Sequence, residues 1–183
     1  MIRSFVVLVA LAGFAGCAES PGWSEVSAED HPEAVAKAKS ATQALFKQLS
    51  ARLQGAVQEI GLAGAIEVCQ TEAPAIAKAV SNEQELKVGR TSHRLRNRAN
   101  APPVWVADLE SRACRVYAHP DGRIGVTLPI LAMNLCLKCH GTDDCIPTGV
   151  KEALAKAYPE DEAHGFAPGD IRGQFWVEIP AKQ

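Results

Sequence analysis

The chain has 183 residues, 19 basic and 21 acidic side chains, a formal net charge of −2 and only 5% aromatic residues. That length suffices for one domain with a real core, and a near-neutral balance without a basic run argues against nucleic acid as a partner.

The N-terminus reads MIRSFVVLVALAGFAGC. One cation, Arg3, precedes an apolar run over residues 5–15 that ends in small residues. This is the pattern of a secretory signal, and the run is too short for a stable bilayer anchor. The segment Phe14-Ala15-Gly16-Cys17 resembles a lipobox, which predicts a leader over residues 1–16 and lipidation of Cys17. Phe14 stands where leucine is usual, so ordinary signal-peptidase cleavage nearby is the alternative. Ala18, rather than Asp, after the cysteine favours the outer membrane of a Gram-negative cell. The expected location is the periplasm, with membrane contact only through the lipid. The mature chain of roughly 165 residues then has 18 basic against 21 acidic side chains.

Residues 18–33 are polar with Pro, Gly and Ser and read as a flexible tether; residues 34–183 form the domain. From Pro32 to about Leu62, Leu45, Phe46, Leu49, Leu53, Val57 and Ile60 recur at three- and four-residue steps, the stripe of a long helix. Gly61 and Gly64 break it. A second helical stretch begins near Ala63, with Pro74 expected to kink it or to start a separate short helix. ELKVGRTS reads as extended, RLRNRANAPP as loop, and PVWVADLES as a short helix. Two β-type runs around the turn His-Pro-Asp-Gly-Arg, residues 119–123, predict an antiparallel hairpin. PTGVKEALAKAY is helical, and GDIRGQFWVEIP closes the chain as a strand with alternation at Phe175, Val177 and Ile179. The order predicts an α+β fold, a long N-terminal helix packed with an antiparallel sheet.

Chemistry concentrates in NLCLKCHGTDDC, residues 134–145. Cys136, Cys139 and His140 form Cys-x-x-Cys-His, two thiols and an imidazole within five residues, the set needed to attach one covalent c-type haem and bind its iron. A dithiol redox cycle would place the thiols at a helix after an early strand of a βαβ unit, and none is present. Zinc would require four ligands, and no second Cys-x-x-Cys or His pair supplies the rest. With Met1 in the leader, Met133 is the one remaining methionine, and none follows His140. That excludes the ordinary small cytochrome c with a distant methionine ligand. The strands contradict a four-helix cytochrome. Arg90, Arg96 and Asn97, in an Arg- and Asn-rich stretch, are candidates to meet the haem propionates, since guanidinium groups pair bidentately with carboxylates. The alternative is a solvated loop whose Asn residues make turns.

The blocks AIEVCQTEAPAIA (65–77), VGRTSHRLRNRANAP (88–102), CLKCHG (136–141) and YPEDEAHGFAPGDIRGQFWVEIP (158–180) resemble the PAS-like c-type haem domain. This family occurs as stand-alone exported proteins and as the sensor part of histidine kinases and chemoreceptors. One departure is Arg98, where the family usually has Pro. The resemblance implies a PAS-like antiparallel sheet with haem held between it and the long helix. It also implies iron ligated by His140 and by the cysteine of the first block, Cys69. By position alone Cys69 shares a helix face with Ile66 and Ala73, which a small buried thiol would also do. His93 is the fallback ligand. With Cys17 modified, two thiols on haem and one on iron, Cys114 and Cys145 are left over. In an oxidising compartment they are expected to form a disulfide, closing a loop of roughly 30 residues worth about 3 kcal/mol.

Three functions follow: a haem-based redox or gas sensor or low-potential redox protein, a generic electron carrier, and, last, a haem enzyme. Without an output module in the chain, sensing requires a separate redox or signalling partner, and a diatomic gas is a candidate ligand.

Overall fold

The computed structural model describes residues 22–182; the expected leader over residues 1–16 and Cys17 lie outside them. Helix α1, Pro32–Glu83, holds one non-helical residue, Gly61, at φ 73° and ψ 175°. That backbone region is open to glycine at little cost and strained for any residue with a Cβ. Here it reverses the chain. Arg52 donates from Nε and Nη2 to the Glu72 carboxylate at 2.6 and 2.8 Å, whereas twenty residues of straight helix would separate them by about 30 Å. The arms 32–60 and 62–83 are therefore antiparallel. Their contact surface uses small residues, with Ala38, Ala41 and Leu45 facing Ile76, Ala77 and Val80. Of the predicted stripe, Leu45 is fully buried while Phe46 and Ile60 are exposed, because alanines let the arms approach where a wider apolar face would hold them apart. Pro74 lies within the second arm without breaking it.

Five strands follow: β1 Ser24–Val26, β2 Lys87–Thr91, β3 Arg115–Ala118, β4 Ile124–Leu131 and β5 Ile171–Ile179. They form one sheet in the order β1-β3-β4-β5-β2, and every neighbouring pair is antiparallel. The register lines up Val26, Val116, Val126, Val177 and Val88, one from each strand, in a row across the sheet. β-branched side chains fit this pleated surface, and the row packs against both arms of α1 as the main core. The long helix, the β3–β4 hairpin, the strand at β2 and the closing strand β5 are where the sequence pattern puts them.

Two expectations fail on the opposite face. Of the predicted tether, residues 22–33 are ordered structure: Trp23 is buried against Trp105 and Tyr117, and β1 pairs with β3. A three-residue edge strand is too short to show a period, and the anchor is a single aromatic. Residues 103–111 form no helix. They run as turns that lay Trp105 and Val106 on the sheet, where the Trp105 Nε1–H donates to Glu178 at 3.2 Å. Burial of the indole and local bonds such as Glu110 N–H to Asp108 Oδ1 outweigh a weak helical tendency.

Helix α2, Leu137–His140, and helix α3, Thr148–Ala157, complete the molecule. α3 packs Val150 and Leu154 on Ile66 of the second arm in a separate core cluster. Among the described residues no helix is long and apolar enough to cross a membrane.

Candidate functional site

The Cys-x-x-Cys-His segment winds into one helical turn after β4. The N–H groups of Cys139 and His140 both donate to the Cys136 carbonyl, at 3.1 and 2.8 Å. Positions i, i+3 and i+4 of a helix share a face, so Cys136, Cys139 and His140 stand together. The turn ends at Gly141, where a Cβ would lie 2.6 Å from the Leu137 carbonyl oxygen, a contact only hydrogen can occupy.

Residues 163–166 dock on this turn. Phe166 N–H donates to the His140 carbonyl at 3.0 Å, and Gly165 N–H to that of Gly141 at 2.7 Å. His140 Nδ1 lies 2.7 Å from the Ala163 carbonyl oxygen. A carbonyl only accepts, so Nδ1 carries the proton. Burial, with Arg172 and Arg96 nearby, holds the imidazole pKa well below its ordinary value, so the ring is neutral. The lone pair is therefore on Nε2, the form in which imidazole binds a metal. Nη1 of Arg96 and Nη2 of Arg172 both approach that nitrogen at 3.4 Å.

Three guanidinium groups converge here from distant parts of the chain. Arg90 pairs across strands with Phe175 and so lies on the α1 side of the sheet, in phase with Val88. Arg96 follows β2, and Arg172 is near the start of β5. Burial pushes the Arg172 pKa down to about 10, helped by Arg96 and Arg90, so it remains charged at neutral pH. Its Nε is buried without a partner. Among the described residues, the one carboxylate in ion-pair contact with any of the three is Asp161, on Arg96 Nε at 2.9 Å. The cluster thus has an excess of partly buried positive charge and an unmet donor, a combination that calls for an anionic partner.

Cys69 completes the group. Ile66, Cys69, Ala73, Ile76 and Val80 follow one another at three- and four-residue steps along the second arm; Ile66 belongs to the α3 cluster and Val80 to the main core. Cys69 falls at the joint between them. Burial raises its pKa, while Arg90, Arg96 and Arg52 pull the other way. It is close enough to Cys139 for each thiol to bear on the same charges: Cys139 is raised by burial, lowered by Arg96 and raised by Cys69. A cleft of about 320 Å³ is lined by Gln70, the residue after Cys69, together with Arg96, Tyr158 and Pro159.

Cys69, Arg90, Arg96, Cys139 and His140 are thus brought together, with Cys136 on the same turn. Asn97 is used locally: its Oδ1 accepts the Ala99 N–H at 2.9 Å and caps a short 3₁₀ turn. His93 meets Glu110 and the edge of Phe166 and not the thiols. Arg172, Asp161 and Phe166 were not singled out from the sequence. Phe166, almost fully buried, lies between the His93 and His140 rings, with the guanidinium groups of Arg94 and Arg172 4.1 and 5.2 Å from its centroid.

The expected disulfide is absent: Cys114 and Cys145 are both free thiols. Cys114 packs at the edge of the main core, whereas Cys145 is exposed and accepts the Thr142 hydroxyl at 3.2 Å. Elimination supplies a pair of cysteines but no proximity, and a disulfide needs both sulfurs in one place. Under non-reducing conditions, intact-mass analysis after alkylation is expected to show both labelled. Cys145 should label first and Cys114 only slowly, its thiol being partly buried with a pKa raised by that burial.

Of the chemistries open to Cys-x-x-Cys-His, zinc fits poorly: among the described residues no group of three or more His, Cys, Asp and Glu is arranged so that it could hold a metal ion by itself. The antiparallel sheet has no βαβ unit for a dithiol motif. What remains is a neutral imidazole with its lone pair on Nε2, two thiols on the same turn, a third thiol near Cys139, and a cluster of cations. The chain matches the model of the Tll0287-like family over residues 24–180. Its structure is similar to that of the cyanobacterial haem protein Tll0287, with a TM-score of 0.55 and 23% identity over 86% of this chain and 99% of that one. At that identity the likeness establishes the fold. No curated protein gave a match.

Proposed function

Since the chain belongs to the Tll0287-like family, we propose that it is a haem protein, carrying one haem held covalently by Cys136 and Cys139. His140 would bind the iron through Nε2, and Cys69 would be the second protein donor. Arg90, Arg96 and Arg172 receive the propionates. The observation that carries this reading is the His140 imidazole. Its Nδ1–H is committed to the Ala163 carbonyl, so its Nε2 lone pair is presented to a site lined with cations that have no sufficient counter-charge.

Each side chain has a definite task. The two thiols of the helical turn tether. The Ala163 carbonyl holds the His140 ring in one tautomer and orientation. The arginines neutralise carboxylates in a place where an unpaired charge would be costly. Cys69 offers a sulfur whose pKa a ferric ion would lower enough to bind as thiolate. When bound, haem would supply a one-electron ferric/ferrous couple and a metal able to take a small ligand. A thiolate donor favours the ferric form and so a low potential.

The function we assign is low-potential redox or gas sensing through a separate partner, in the periplasm and outside the cytoplasmic membrane, as the leader and Cys17 imply. Turnover is not part of this reading, because Tyr158, which bears on Cys69, is not a group that exchanges protons near neutral pH. The Tyr158 pKa is in fact raised, mainly by burial.

The test is a pyridine haemochrome spectrum of protein made with c-type maturation, followed by redox titration with and without carbon monoxide. A c-type spectrum that survives acid-acetone extraction is expected, and Cys136→Ser with Cys139→Ser should eliminate it. Carbon monoxide binding to the reduced protein would mark a sensor; rapid electron exchange with no ligand change would mark a carrier. A b-type spectrum, with haem removed by extraction, would overturn the attachment.

A further inference from the structure

We propose that Asp161 is a positioning residue that sets the reduction potential of the site, acting on His140 through Ala163 and on the local charge through Arg96. The inference rests on the haem reading above. Asp161 is nearly buried, as is Arg96, with side chains 12% and 11% exposed. One carboxylate oxygen, Oδ2, accepts Arg96 Nε–H at 2.9 Å. The other, Oδ1, accepts the Ala163 N–H at 2.8 Å. The Ala163 carbonyl in turn accepts His140 Nδ1–H at 2.7 Å and Arg96 Nη2–H at 3.2 Å. A second Arg96 Nη2–H contact reaches the Cys139 carbonyl. The five bonds close a loop in which one carboxylate pins two of the groups that touch the imidazole, the Ala163 backbone at Nδ1 and Arg96 at Nε2.

Two effects follow, and both favour the oxidised form. The fixed carbonyl at Nδ1 makes the imidazole a better donor, as hydrogen-bonded partners of ligating histidines do. The negative charge also offsets Arg96, whose Nη1 is 3.4 Å from Nε2. Removing that charge leaves a full positive charge at the ligand, which stabilises the form with one more electron. Glu160 and Glu162, on either side in sequence, pair instead with Arg98 at the exposed rim, where solvent screens them.

The experiment measures midpoint potentials of the holoprotein together with hydrogen exchange at the Ala163 amide. Asp161→Asn keeps the shape and one acceptor but removes the charge; its midpoint should shift upward from wild type. Glu160→Gln and Glu162→Gln should leave it unchanged. Asp161→Glu keeps the charge and displaces the acceptor, so the Ala163 amide should exchange faster while the midpoint moves less than in Asp161→Asn. An unchanged midpoint in Asp161→Asn would overturn the proposal. Should that variant yield no holoprotein, Asp161→Glu decides: wild-type exchange at Ala163 together with a wild-type midpoint would overturn it equally. Wild-type protein that carries no haem would instead defeat the haem reading, a result distinct from either.

Discussion

Replacing His140 with alanine is expected to cut the yield of holoprotein by at least about tenfold, the lower range for losing even a supporting partner of a metal ligand. The change removes the nitrogen proposed to bind iron and the ring that joins α2 to residues 163–166. Nδ1 of that ring reaches Ala163 at 2.7 Å, and its edge packs on Phe166 with centroids 6.4 Å apart. Without the ring, Arg96 and Arg172 lose their shared neighbour, and the cations face one another across an empty position. The two thiols would remain, so any haem captured by them would lack an axial donor on that side and show a high-spin spectrum. His93→Ala and His164→Ala serve as controls, since His93 contacts Glu110 and Phe166 and His164 is exposed. Both should retain a wild-type spectrum. Haem content per protein, measured by pyridine haemochrome, decides the matter. Wild-type content and spectrum in His140→Ala would show that another residue binds the iron.

Cys69→Ala should leave the haem attached and move its midpoint potential upward by more than about 59 mV, a tenfold change in a one-electron equilibrium. Thiolate donation stabilises ferric iron, and its loss removes that preference. The substitution conserves the helix, because alanine is the best helix former, and the site at the joint between two core clusters loses only a sulfur. Loss of that donor would leave the iron a free coordination position, so the ferric protein should bind added imidazole or cyanide that wild type excludes. Low-temperature electron paramagnetic resonance reads the outcome directly. The wild-type ferric signal should have the low-spin thiolate form and vanish in the variant. Persistence of the same signal in Cys69→Ala would transfer the role to another donor, with His93 the first to replace.

The site was partly legible before any fold was known. Cys136, Cys139 and His140 are adjacent in sequence, and one helical turn is enough to bring them together. Cys69 was named through the family resemblance, and Arg90 and Arg96 through the chemistry of an Arg- and Asn-rich stretch. Arg172 and Asp161 were not, because neither carries a local signal. An arginine in a strand and an acid in a loop are ordinary until the register of β5 and the return of residues 158–166 place them beside His140. The disulfide between Cys114 and Cys145 shows the converse error. Composition and compartment argued for a pair, but pairing is a matter of distance, and these cysteines belong to different surroundings.

What the sequence by itself determined is whatever depends on neighbours along the chain. The stop at Gly61, the β3–β4 hairpin around its turn, the alternation of β5 and the single-turn Cys-x-x-Cys-His are all of this kind, because backbone preference and side-chain period act over a few residues. Only the tertiary structure decided the rest. It set α1 as two antiparallel arms joined by Arg52 and Glu72. It also recruited Trp23 and β1 to the edge of the sheet and chose turns over a helix around Trp105. The tautomer of His140 and the meeting of Cys69 with Cys139 belong here too. The reason is physical. Each of these depends on contacts between residues tens of positions apart, whose partners are selected by sheet register and by how closely two small-residue helix faces can pack, and no local period in the chain encodes either.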